Sequence, residues 1–183
     1  MKTLTLADKL GTAPRPSPLL EKAKGLGLTS PESLEGLAVG RGCWHYGSPE
    51  MPPPLAVSER EFTNEELAIA LLSPGLRYSP HTIRLGAAML GATGNRTEVL
   101  SRLARAEGCE TAVRYVAQAG RQFEPDNSFW SNLLIQLPAT AEAIDGVFPH
   151  PTRFVSMTGF TRAGPGRVTV WIRPRPDLAL AHG

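Results

Sequence analysis

The sequence predicts a mainly α fold: a stack of about five short antiparallel helices, with an irregular N-terminal arm and a C-terminal β-hairpin. Three observations carry this. Residues 63–137 hold successive apolar stripes at helical spacing, each bounded by its own cap or stop. Glycine and proline, 18 and 17 of 183 residues, concentrate outside that stretch. Beyond residue 150 the apolar period shortens to two.

Composition sets the frame. With 42% hydrophobic and 20% charged residues the chain is globular and long enough to bury a core. The net charge of +2 is no footprint of an obligate nucleic-acid binder. Its distribution is uneven: residues 150–183 carry five arginines against Asp177 alone, so the rest of the chain is net negative. The N-terminus lacks a secretory apolar run, and no stretch approaches a membrane span. The expectation is therefore a cytoplasmic protein away from the membrane, with Cys43 and Cys109 as free thiols.

Along the chain, residues 1–60 read as a Pro/Gly-rich arm with two short helices. Each begins at a Ser-Pro pair, Ser17-Pro18 stopping at Gly25 and Ser30-Pro31 stopping at Gly40. Serine caps the free N–H groups, and proline at the first helical position gives up nothing by lacking one. Phosphorylation is the functional alternative for these pairs. Residues 40–62, with Pro52-Pro53-Pro54, read as an irregular, partly extended connection.

Residues 61–149 read as the helical core. Thr63 and Glu66 form a capping box for the first helix, which ends at Ser73-Pro74-Gly75. The others are expected over about 80–91, 96–107, 110–121 and 126–137, with a further short one around Thr140–Asp145. Apolar faces are Val99, Leu100, Leu103 and Ala104 in the third; Ala112, Val113, Val116 and Ala117 in the fourth; Phe129, Trp130, Leu133, Leu134 and Leu137 in the fifth. Glu98 with Arg102, and Glu110 with Arg114, stand at i,i+4 spacing. Helices one, three and five start about 32 residues apart, the rhythm of stacked helical hairpins. Residues 150–183 read as a basic hairpin and tail packed on this core. Its second strand places Val168, Val170 and Ile172 on one face, and Arg167, Thr169, Trp171 and Arg173 on the other.

Candidate chemistry is sparse. Cys43-Trp44-His45-Tyr46 sets a thiol two residues from an imidazole, the raw material of a metal site or a nucleophile–base pair. Further ligands would have to come from Cys109, His81, His150 or His182, which stand at no recognised spacing. The structural alternative packs Trp44 and Tyr46 onto the helices. The 96–121 pair has part of a helix-turn-helix pattern, with Gly108 in the turn; Arg114, Gln118 and Arg121 would suit phosphate and base contacts. Against it, Glu107 occupies a place usually held by an apolar residue. Arg167, Trp171 and Arg173 on the hairpin combine cations with an aromatic, suiting an interface; the alternative buries Trp171 and leaves the arginines solvated.

Ser156-Met157-Thr158-Gly159-Phe160-Thr161-Arg162-Ala163, followed by Val168-Thr169-Val170-Trp171-Ile172-Arg173, resembles the opening hairpin of the YicC-type stress-induced ribonuclease family. In that family the string starts the chain and a full domain follows, whereas here 20 residues follow Ala163. The resemblance implies a hairpin and carries no activity.

The leading expectation is a small helical protein acting as a protein-interaction or adaptor module, with a protein partner or a second copy of itself, no cofactor and no catalytic or metal residue. The first alternative is a nucleic-acid-binding regulator using helix 110–121 or the basic C-terminal hairpin. The second is a Cys/His enzyme or metal protein centred on Cys43 and His45.

Overall fold

Ser17, Ser30 and Ser79 each start a helix in the same way. Their hydroxyls accept from the backbone N–H groups of Leu20, Ser33 and Thr82, and proline fills the first helical position each time. In the computed structural model, which describes residues 3–51, 54–139, 146–158 and 168–176, eight α-helices follow in chain order. They are α1 Leu6–Leu10, α2 Pro18–Gly25, α3 Pro31–Gly40, α4 Asn64–Leu71, α5 Pro80–Leu90, α6 Thr97–Glu107, α7 Glu110–Phe123 and α8 Ser128–Gln136. Trp44–Tyr46 and Pro151–Phe154 form 3-10 turns. Strands β1 Val155–Thr158 and β2 Val168–Trp171 pair antiparallel, with Val155 opposite Trp171 and Ser156 opposite Val170. The expected helix at Thr140–Asp145 and the hairpin turn lie outside the described residues.

The Thr63–Glu66 capping box forms as expected. Helix α1 is an addition. Thr5 and Asp8 cap it reciprocally, and Gly11 closes it in the left-handed conformation. The N–H groups of Leu6 and Ala7 then donate to the carbonyls of Leu76 and Pro74, which ties the N-terminus to the turn after α4.

The first, third and fifth core helices, α4, α6 and α8, pack on one another in succession, with α5 against α4 and α7 against α8. That is the arrangement the 32-residue rhythm suggests. One buried cluster runs from Leu6 to Ile172 and draws Leu19, Leu28 and Leu34 of the arm into the same interior as Leu67, Val113 and Trp130. The four apolar residues assigned to α7 are all buried; on α6, Leu100 and Ala104 are buried, and Leu103 packs partly against the core. The expected pairs Glu98–Arg102 and Glu110–Arg114 do not form. The ion pairs observed among the described residues instead include Lys22–Glu66 and Arg77–Glu32, which join different elements.

Glu107 explains why the α6–α7 turn departs from the helix-turn-helix pattern. It is 4% exposed, yet it accepts from the Leu19 N–H at 3.0 Å and from the Ser17 hydroxyl. An acidic group there satisfies orphan donors at the start of α2 and complements its positive dipole end. Arg15 in turn donates to the Ala106 carbonyl at the end of α6. The position is acidic because it caps a helix about 90 residues away.

Two tryptophans organise the other end. Trp130 and Trp171 lie with ring centroids 4.7 Å apart and are fully buried. Gly120 of α7 faces the Trp130 indole so closely that a Cβ there would sit 2.2 Å from Cδ2. A residue with a side chain has no room at this crossing.

Candidate functional site

The segment after α3 and the end of the hairpin meet, and Gly42 is the reason they can. Its φ is +118°, and a Cβ would lie 2.6 Å from the Arg175 backbone nitrogen. The bare backbone lets the C-terminal strand pass directly over it, and the Arg175 N–H donates to the Gly42 carbonyl at 2.9 Å. The Trp44 indole N–H donates to the Arg175 carbonyl at 3.4 Å. The two flanks thereby become the walls of one groove, about 990 Å³ in volume and open to solvent, lined by Arg41, Trp44, His45, Val170, Arg173 and Arg175 among others. A second cleft of about 470 Å³ adjoins it, lined by Gly36, Val39, Met51 and Pro54; Trp44 lines both.

Two of the groove's arginines, Arg41 and Arg173, have side chains held in place. Arg41 donates to Asn64 Oδ1 at 3.0 Å and to the Val57 carbonyl at 3.2 Å. Burial lowers its pKa, and the charges of Glu59 and Glu66 oppose that. Arg173 donates through Nε to the Gly91 carbonyl and grips both oxygens of Glu124 at 2.8 and 3.1 Å. Glu124 also accepts from the Trp130 indole N–H at 2.8 Å. Burial works to raise the Glu124 pKa; the hydrogen bonds from Arg173 and Trp130 and the Arg173 charge together outweigh it and hold the carboxyl below the usual range.

The lowered pKa fixes a pH dependence. The stability it confers is complete above the unfolded carboxylate value of about 4.5 and is lost as pH falls below that, through the folded value. Glu124→Gln is therefore expected to cost roughly 2 kcal/mol near neutral pH. The gap to wild type should shrink toward pH 3 in denaturant titrations run across pH. A gap that widened on acidification would contradict the geometry.

The sequence candidates fall out as follows. Trp171 is 1% exposed and its N–H donates to the Ala87 carbonyl at 3.3 Å, so it is not a contact residue. The strand face that carries it turns toward α7, while Val170 on the opposite face is 44% exposed. This corrects the expectation of an exposed Trp171–Arg173 interface: an indole buried on the core excludes water from far more apolar area than Val170 would. Arg173 is partly buried and ion-paired, not solvated. Arg167 lies outside the described residues.

Cys43 and His45 both line the groove, but they share no hydrogen bond. Cys43 is buried with its Sγ 3.5 Å from Met89 Sδ, and burial pushes its thiol up to about 12. His45 is exposed, its ring edge-on to Tyr46 at 5.4 Å. His81 meets Tyr46 from another side at 5.8 Å, Cys109 is buried at the start of α7, and His150 caps the Pro151–Phe154 turn. His182 lies outside the described residues. Among the described residues no group of three or more His, Cys, Asp or Glu side chains could hold a metal ion, and no helix is long and apolar enough to cross a membrane.

A thiol pushed up to about 12 is ionised to only about one part in ten thousand near pH 8. Iodoacetamide is accordingly expected to leave Cys43 unmodified in the native protein and to alkylate it once the chain is unfolded. Rapid native labelling of Cys43, read by peptide mass spectrometry, would restore the reactive-pair reading.

On α7, Gln118 and Arg121 are exposed and Arg114 is half-buried. The helix is hemmed in by α6, α8, β2 and the Pro151–Phe154 turn, and the Tyr115 hydroxyl donates to the Pro149 carbonyl at 2.7 Å. Three groove residues, Arg41, Val170 and Arg175, carried no signal in sequence. Arg41 lies between two glycines, Arg175 between two prolines and Val170 within a strand, contexts that read as ordinary loop or strand, and only the crossing at Gly42 brings them together. No family model, curated protein or solved structure matches this chain, and the likeness to the YicC-type family therefore stays confined to one hairpin string.

Proposed function

We propose that this chain is a protein-interaction module whose contact surface is the groove between residues 41–45 and 170–176. One observation carries the reading: two large apolar side chains, Trp44 at 40% and Val170 at 44% exposure, line the same groove while the other two tryptophans are buried. Scattered apolar residues on a surface need no explanation, but exposed aromatic and aliphatic groups sharing one groove with fixed arginines have the make-up of an interface hot spot. Helix 110–121 has less support as a nucleic-acid reader, because a recognition helix must stand clear of its fold to enter a groove and α7 is packed on several sides.

The test places a photo-crosslinking residue at position 44 in living cells, with position 121 as the comparison. Adducts are identified and the pair rebuilt from purified components. A protein adduct specific to position 44, whose reconstituted binding falls about tenfold on Val170→Asp, is the expected result. Adducts to nucleic acid only, or equal yields at both positions, would refute the reading.

A further inference from the structure

We infer that Ser48 is a phosphorylation site for a kinase that reads proline after serine, and that phosphate there closes the smaller cleft to an apolar group. The site assignment stands on its own observations. Its effect rests on the reading of the groove as an interaction surface.

The chain holds five Ser-Pro pairs, at Ser17, Ser30, Ser48, Ser73 and Ser79. The fold engages four of these serines. Ser17, Ser30 and Ser79 cap α2, α3 and α5, and all three are half-buried. Ser17 also donates to Glu107. Ser73 is 2% exposed and accepts from the Gly75 N–H. Ser48 is the one exposed serine of the five, and Gly47, Pro49 and Glu50 beside it are exposed too. It starts no helix. Gly47 is extended, with φ −73° and ψ 153°, and the Met51 N–H donates to the Ser48 carbonyl at 3.0 Å to make a single turn. The Ser48 hydroxyl accepts from the Glu50 N–H at 3.3 Å and has no other hydrogen bond among the described residues.

These differences decide which pair an enzyme can reach. A kinase holds its substrate extended across a cleft. Proline after the serine removes a backbone donor, so a cleft that offers no acceptor there selects Ser-Pro. To extend Ser48, one turn opens. To extend Ser17, Ser30 or Ser79, a helix loses its cap and its first turn, and Leu19, Leu34 or Ile83 is drawn from the core. The transfer balances with ATP as donor. Ser48 Oγ bonds to the γ-phosphorus, the bond from that phosphorus to the leaving oxygen of ADP breaks, and the hydroxyl proton passes to the kinase's base.

The same turn borders the cleft. Ser48 lines it with Val39, Trp44, Met51 and Pro54, and no charged side chain is among its lining residues. A phosphate adds a charge of about −1.5 to −2 at neutral pH. An apolar group seated beside it would strip water from that charge. Trp44 lines both cavities, so a partner resting on Trp44 meets the phosphate at once.

The native full chain is incubated with a purified proline-directed kinase and ATP, and phosphate is mapped by peptide mass spectrometry. Five synthetic peptides, one for each Ser-Pro pair, give the rate of each sequence without the fold. Ser48 should react within about threefold of its peptide, and the other four serines at least tenfold more slowly than theirs. Ser48 protected like the rest, or another serine reacting first, overturns the assignment. So does a wholly unmodified Ser48 in the chain purified from its own cells. For the effect, the partner captured at position 44 is titrated against the chain with and without phosphate. Binding should fall about tenfold with phosphate, and Ser48→Ala should bind normally and ignore the kinase. Equal or tighter binding of the phosphorylated chain overturns the closing of the cleft and leaves the interaction reading standing. If even Ser48→Ala gives no protein adduct at position 44, the interaction reading fails and the closing fails with it, while the mass data decide the site.

Discussion

Gly120→Ala is expected to destabilise the protein by roughly 3 kcal/mol, although alanine is the better helix former by about 1 kcal/mol. The propensity gain is overwhelmed because the new methyl would lie 2.2 to 2.7 Å from three atoms of the Trp130 indole. That ring has nowhere to go. It is fully buried, tilted against Trp171 with centroids 4.7 Å apart, edge-on to Phe129, and tethered through Nε1 to Glu124. Relief requires α7 and α8 to separate, or the indole to abandon its hydrogen bond. For a chain of this size the loss corresponds to a fall in Tm of about 6–12 °C. Gly36→Ala makes the contrast, since its Cβ meets open space and it should gain up to about 1 kcal/mol. Thermal unfolding of the two variants thus yields shifts of opposite sign for the same substitution. Equal shifts would contradict the close approach of Gly120 to the Trp130 indole.

Trp171→Ala should cost about 3–5 kcal/mol, the usual range for a fully buried indole. Trp171 fills the space between β2 and the end of α5, touching Trp130 and Phe154 and lying against Gly91. Without it the hairpin keeps Val155 and Ile172 in the core, the Arg173–Glu124 pair and the Arg175–Gly42 bond, but loses its largest buried side chain, and the wall of the groove loosens with it. Trp171→Phe separates the contributions. The Ala87 carbonyl that accepts from the indole also accepts from the Gly91 N–H within its own helix, so it is not orphaned by the change. The phenylalanine variant should therefore lose roughly 1–2 kcal/mol, mostly as a cavity. Urea titration distinguishes the two, and near-equal losses would show that the N–H and not the ring volume dominates.

Local chemistry explains what could be read in advance. A Ser-Pro pair carries its own capping geometry, so Ser17 and Ser30 announced helices without help from distant residues. Thr5-Leu6-Ala7-Asp8 has the same logic with aspartate in place of glutamate, but its five-residue helix is too short to show an apolar period. Glu107 looked like a flaw in a DNA-reading turn because its partners, Ser17 and Leu19, are far off in sequence. Alternation put Val170 and Trp171 on opposite faces of β2, whereas Ile172, grouped with Val170, is buried just past the strand; which face meets the core depends on the Gly91 gap waiting for Trp171. The groove was illegible for the same reason. Its arginines and Trp44 were visible one by one, whereas their adjacency depends on Gly42 letting a distant backbone pass.

That crossing has a kinetic side. The bond from Arg175 to Gly42 closes a loop of 133 residues, 175 less 42, while the helical stack is built from near neighbours in sequence. Closure entropy grows only slowly with loop length, so the contact costs little once the ends are brought together. Contacts of such high order nevertheless form late, after local helices have docked. The groove is thus among the last features to assemble: a chain halted with its helices formed but its final residues undocked already displays Trp44, and has nothing opposite it for a partner to bind.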